Sequence, residues 1–137
     1  MKELIIGFVS DIMFQTRIES VAERLGAKVH WFERADLVNV KNVENQLFVE
    51  SMVLDNIIQM KPKLIIFDLG DDSVPWAEWI TLMKNHPEMK QIPVVCYGSH
   101  VDVETFKIAR QTGADEVLAR SRFVTVLPKL IQSYVFN

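Results

Sequence analysis

Four short polar clusters each follow an apolar run in this 137-residue chain. Ser10-Asp11 follows Leu4 to Val9, and Asp68-Leu69-Gly70-Asp71-Asp72 follows Leu64 to Phe67. Gly98-Ser99-His100 follows Ile92 to Tyr97, and Arg120-Ser121-Arg122 follows Val117 to Ala119. If Asp11 and Asp68 lie side by side, their carboxylates repel, and a divalent cation relieves that repulsion. Oxygen ligands completed by water suit magnesium. A cation there draws phosphate oxygens toward Asp68, whose carboxylate can act as a nucleophile and accept a phosphoryl group. Arg120 could balance the added negative charge from the opposite side. A plainer reading competes at each position, because aspartate after a strand commonly caps a helix or closes a turn. Capping is the stronger reading for Asp11 taken alone. For Asp68 the two readings stand level, and the joint pattern favours a site. Asp71 and Asp72 read as a solvated loop with a helix-start charge preference.

The runs that carry these clusters, with a fifth from Val29 to Phe32, are apolar almost throughout. Strands buried on both faces of a parallel sheet have that pattern. Helical stripes lie between them. Phe14, Ile18, Val21, Ala22 and Leu25 share one helix face, and Gly26 follows as a C-cap. Trp76, Trp79, Ile80 and Met83 form a second stripe, with Pro75 suited to its first turn. Asp102 can cap a third helix that Gly113 ends. A last helix is expected from near Thr125, with Pro128 in its first turn. Residues 34–50 mix both periodicities and read as a loop or an extension of the second helix. From Met52 to Met60 the helical pattern is better, and Pro62 ends it.

Strand and helix thus alternate five times. Right-handed crossovers predict an α/β fold, a doubly wound five-stranded parallel sheet of flavodoxin-like order 2-1-3-4-5, over one domain, 1–137. Sites in such sheets lie beyond the carboxyl ends of the strands, at the switch point between strands 1 and 3. Asp11 and Asp68 follow those two strands.

Composition narrows the function further. Apolar residues are 49% and charged residues 24%, which fits a globular domain. A net charge of −3 without a basic run argues against a nucleic-acid surface. No apolar stretch is long enough to span a bilayer, and Met1-Lys2-Glu3 leads straight into a strand without a signal-peptide layout. The lone Cys96 sits in an apolar run and reads as a core thiol. A cytoplasmic location is expected. His30, His86 and His100 have no ligand spacing, and His100 reads as a solvated loop residue. No Ser/His/Asp constellation or glycine-rich phosphate loop is present, so turnover is the least supported function.

At these residues the chain resembles the receiver domain of bacterial two-component response regulators. The resemblance spans nearly the whole chain. It is strongest in Lys-Pro-Lys-Leu-Ile-Ile-Phe-Asp ending at Asp68, in Gln-Ile-Pro-Val-Val, and in Gln-Thr-Gly-Ala-Asp-Glu-Val-Leu-Ala-Arg ending at Arg120. It implies that Asp68 is the phospho-acceptor for a histidine kinase. It implies that Asp11 and Asp68, with the main-chain carbonyl of Gly70, hold Mg2+. The switch and phosphate-contact positions fall on Gly98, Ser99 and Arg120.

The chain departs from the family at several of these places. Ser10 takes the place of one acid, and Gly98 that of a Ser/Thr, with Ser99 one residue out of phase. Arg120 replaces a lysine, Ser121 a proline, and Val117 the switch aromatic. The acceptor survives while its switching partners do not. The expectation is a pseudo-receiver, a stand-alone signalling module with phosphorylation weak, absent or replaced, and with Arg120 pairing to Asp68. Its output would pass to a protein partner, and Val135-Phe136 could join a homodimer contact. Two alternatives stay open. One is a constitutive interaction domain insensitive to phosphate. The other is a small-ligand-binding flavodoxin-like domain, marked by a deep apolar pocket above Gly70 and Gly98.

Overall fold

The computed structural model describes residues 2–32 and 43–136, with 43–51 described as helix backbone only. In chain order the elements are β1 (Glu3–Phe8), α1 (Ile12–Arg24), β2 (Ala27–Trp31), α2 (Val43–Met60) and β3 (Leu64–Asp68). They continue as α3 (Trp76–Asn85), β4 (Val94–Gly98), α4 (Val103–Gln111), β5 (Glu116–Ala119) and α5 (Arg120–Val135). The five strands form one parallel sheet in the order β2-β1-β3-β4-β5, as the alternating pattern predicts.

Two apolar layers flank the sheet, and strand alternation assigns each side chain to one of them. Ile65, Phe67, Ile6 and Phe8 enter the layer that also holds Val53 and Ile57 of α2 and Trp79, Ile80 and Met83 of α3. Leu64, Ile66, Ile5 and Tyr97 enter the opposite layer, with Ile18 and Ala22 of α1 and Phe123, Leu127 and Ile131 of α5. Each layer has an aromatic stack near the carboxyl ends of the strands. Phe8 stacks on Phe32 at 5.2 Å and on Phe67 at 4.7 Å, with Trp79 edge-on at 5.5 Å. Across the sheet, Tyr97 lies between Phe14 at 4.9 Å and Phe123 at 4.6 Å.

The opposite end of the sheet is tied by Asp115. Its Oδ2 accepts from the Val94 amide at 2.7 Å and from Lys84 Nζ at 2.7 Å, and Lys84 also donates to the Ile92 carbonyl at 2.9 Å. This pins the end of α3 to the starts of β4 and β5. Gly113 turns the chain there at φ +104°, with Lys84 packed where its Cβ would be.

One expectation needs correction. The last helix starts at Arg120, directly after β5, rather than near Thr125. Ala119 is extended at φ −63°, ψ 149° and serves as the N-cap. Pro128 is therefore inside α5, where its ring nitrogen cannot donate to the carbonyl four residues back. The helix continues because Phe123, Leu127, Leu130, Ile131 and Val135 bury one face across the proline. In the ambiguous 34–50 segment, residues 43–50 belong to α2, in line with the reading as an extension of the second helix. The rest of that segment lies outside the described residues.

Trp31 covers Gly7, its register partner on β1, so closely that a Cβ at Gly7 would lie 2.1 Å from the Trp31 ring. The indole N–H of Trp31 donates to Glu19 of α1, which fixes the ring in place. Gly7→Ala should therefore overpack this contact and lower stability by about 1–3 kcal/mol, read as a reduced urea midpoint. A midpoint equal to wild type would show that Trp31 moves aside freely.

Candidate site at the carboxyl ends of the strands

All five residues of β3 are buried, and the last is Asp68, 7% exposed and the one buried charged side chain among the described residues. Alternation turns Asp68 toward the α1/α5 layer, beside its register partner Tyr97. Its Oδ1 accepts the Gly70 amide at 2.9 Å. Burial raises the Asp68 pKa above the ordinary carboxylate value. The Gly70 hydrogen bond and the Arg120 charge pull it down, and Asp71 and Asp11 push it up. Desolvation is the largest of these effects.

The other carboxylates are partly committed to local backbone. Asp11 Oδ1 accepts from the amides of Met13 at 2.9 Å and Phe14 at 3.3 Å, so it caps α1. Asp71 Oδ1 accepts the Ser73 amide at 3.0 Å and its hydroxyl at 2.6 Å. The capping reading of Asp11 is thus realised, and it coexists with a charge felt at Asp68. Asp71 acts more strongly on Asp68 than Asp11 does, which the solvated-loop reading missed. Ser10, Gly70, Asp71, Asp72 and Ser73 line an open recess of about 380 Å³. Among the described residues, no three His, Cys, Asp or Glu side chains converge as a preformed metal cage.

Ser99 and Arg120 come together elsewhere. With Phe14, Arg17, His100, Ser121 and Val124 they line a larger cleft of about 590 Å³. Arg120 does not pair with Asp68: among the described residues the one ion pair within 4.0 Å is Lys84–Asp115. The Arg120 guanidinium instead lies over the Phe14 ring, 5.4 Å from its centroid. Gly98 faces the other way. A Cβ there would stand 3.3 Å from both Leu69 Cβ and Phe106 Cε1, so apolar groups fill the place next to it. Gly70 itself lines the open recess of Asp71 and Asp72.

Sequence reasoning treated Phe14 as core, His100 as solvated loop, and overlooked Arg17 and Tyr97. The signal for Arg17 was its i+3 spacing from Phe14, which puts both on one face of α1. The signal for Tyr97 was the register that sets it opposite Asp68. Its hydroxyl is buried without a protein hydrogen-bond partner, and burial and the Asp68 charge both raise its pKa.

No protein-family model and no curated protein matches the chain by sequence. Solved structures match it by shape. The chemotaxis response regulator CheY4 of Vibrio cholerae aligns with TM-score 0.72 at 12% identity, over 98% of this chain and 100% of that one. The Mn(2+)-bound form of response regulator Rcp1 aligns with TM-score 0.70 at 12% identity, over 97% and 94%. A response regulator from Thermotoga maritima aligns with TM-score 0.67 at 14% identity, over 100% of both chains. The chain therefore has the fold of these response regulators along its whole length.

Two expectations follow from the packing. A raised acid pKa in the folded state means that the folded protein holds the Asp68 proton to a higher pH than the unfolded chain does. Asp68 is then neutral at no cost well below pH 3.8, and it costs stability as pH rises through its folded pKa. Asp68→Asn should raise the melting temperature at neutral pH, with the gain shrinking as pH falls toward 3.8. A gain independent of pH would show that ionisation is not the cause. Gly98→Thr should lower stability by about 1–3 kcal/mol in urea unfolding, because Leu69 and Phe106 already occupy the space. Unchanged stability would mean that the space is adaptable and the Ser/Thr position recoverable.

Proposed function

We propose that this chain is a receiver-like signal-transduction module in which Asp68 is the phosphoryl acceptor and the built-in switch is attenuated. The observation that carries this reading is a charged carboxylate kept in a buried strand, at the switch point of a 2-1-3-4-5 sheet. A residue with only a structural role there would be more stable as an apolar side chain. The donor set fits a hard divalent cation that retains waters: the second oxygens of Asp68 and Asp11, the Gly70 carbonyl, and an acidic recess beside them. A neighbour of the same fold holds Mn(2+). The cation would offset the repulsion that Asp11 and Asp71 impose on Asp68. In the transfer, an Asp68 carboxylate oxygen attacks phosphorus, the bond to the donor oxygen or nitrogen breaks, and the donor leaves with that electron pair.

Attenuation rests on three placements. Gly98 offers no hydroxyl and is packed by Leu69 and Phe106. Arg120 is stacked on Phe14 instead of reaching Asp68. Val117, where the family has an aromatic switch, packs against the apolar layer of Phe106 and Cys96. A phosphoryl group on Asp68 would then have few side chains to pull into a new position. We assign the module to the cytoplasm, with a histidine kinase as donor and a protein effector as the recipient of its output. Among the described residues no helix is long and apolar enough to cross a membrane.

The test is incubation with acetyl phosphate and magnesium, followed by intact mass, with Asp68→Asn as control. The expected result is a slow, magnesium-dependent gain of one phosphoryl group that the variant lacks. No gain by folded protein would overturn the acceptor role and leave a constitutive interaction module.

A further inference from the structure

Beyond the recess of Asp71 and Asp72, the strand ends carry a second concavity of opposite charge. Its lining comes from three separate parts of the chain: Phe14 and Arg17 of α1, Ser99 and His100 after β4, and Arg120, Ser121 and Val124 of α5. None of these is a carboxylate, whereas the neighbouring recess is lined by Asp71 and Asp72. We propose that this cleft binds a small phosphate monoester carrying an apolar group.

Each part of such a ligand has a counterpart on the page. The Arg120 guanidinium carbon lies 5.4 Å from the centroid of the Phe14 ring, and the residue is exposed. A guanidinium can donate two parallel hydrogen bonds to phosphate oxygens. Arg17 reaches the same cleft from α1, and neither arginine is held in an ion pair with a carboxylate of the described residues. The cleft also includes the first turn of α5, a 16-residue helix whose N-cap is Ala119. Alanine has no side-chain acceptor, so the first amides of α5 are not capped by it, and their dipoles favour an anion. The hydroxyls of Ser99 and Ser121 add neutral donors.

The size of the cleft and its apolar wall set the rest of the ligand. About 590 Å³ lies within the range of small-molecule sites and is far more than a bare phosphate needs. Phe14 and Val124 supply apolar surface beside the charged groups. Phe14 is itself fixed, stacked 4.9 Å from Tyr97, which is stacked in turn on Phe123. The wall is therefore anchored in the core and does not collapse into the cleft. This cleft shares no lining residue with the recess of Asp71 and Asp72, and binding is read without phosphotransfer.

The probe is phenyl phosphate titrated into the full chain, followed calorimetrically and by amide chemical shifts. Saturable binding is expected, with shifts centred on Ser99, His100, Arg120 and Ser121. Phenyl phosphate should bind more tightly than inorganic phosphate, and phenol should not bind measurably. The double variant Arg17→Gln/Arg120→Gln should bind at least about tenfold more weakly. The control Arg24→Gln/Arg110→Gln, the same loss of two charges in the last turns of α1 and α4, should bind as wild type does. Both cleft arginines are exposed, so circular dichroism should show the double variant folded. Absence of saturable binding overturns the proposal. So does binding that the double variant retains, or a shift pattern centred elsewhere.

Discussion

The parallel register that locks β3 between β1 and β4 governs everything else in this molecule. Ile5 to Phe8 pair with Leu64 to Phe67 on one side, and Val94 to Tyr97 pair with Ile65 to Asp68 on the other. With both neighbours paired and both faces covered, β3 has no exposed position. A slip of one residue would exchange its two faces and send Asp68 into the α2/α3 layer of Phe8, Phe67 and Trp79. The same register sets Tyr97 opposite Asp68 and turns Gly98 to the far side. The polar site is thus a consequence of strand phase, and the apolar residues of β3 determine it more firmly than the acids do.

The two aromatic stacks show how the departures from the receiver pattern are accommodated. On the α1/α5 side, Phe123 and Arg120 are three residues apart on α5, so both project toward one neighbour. Phe123 packs Tyr97 and Arg120 covers Phe14, and Tyr97 and Phe14 pack each other. Arg120 makes this ring contact and no direct ion pair with Asp68. On the α2/α3 side, the missing side chain of Gly98 lets Leu69 and Phe106 close together. Gly98 and Arg120 are both coupled to packing, each against an apolar or aromatic neighbour.

Much of this was legible in the sequence because burial on two faces leaves a strong mark. Leu64-Ile65-Ile66-Phe67 and Val94-Val95-Cys96-Tyr97 have almost no polar interruption, and strand order followed from the alternation with helices. The start of α5 was not legible. Arg120-Ser121-Arg122 is polar, and Pro128 is an ordinary sign of a helix start. Burial of Phe123 and Leu127 on either side of that signal outweighs it. The candidate site was legible as a set of strand ends and illegible as a partition. Spacing brought Asp11, Asp68, Ser99 and Arg120 to one edge of the sheet. It could not tell that the acids and the cations occupy separate recesses, because that depends on which ring Arg120 rests against.

The ordering of forces on Asp68 also separates a charged site from a structural capping residue. A capping aspartate such as Asp11 is exposed, and its carboxylate accepts backbone hydrogen bonds from the first turn of α1. Asp68 has one such bond, from Gly70, and the attraction of Arg120, yet burial outweighs both. Two further acids add to the cost. Asparagine would keep the Gly70 bond without the charge. Under the proposed function, a carboxylate at the end of β3 would supply what asparagine could not, a nucleophilic oxygen and affinity for a cation.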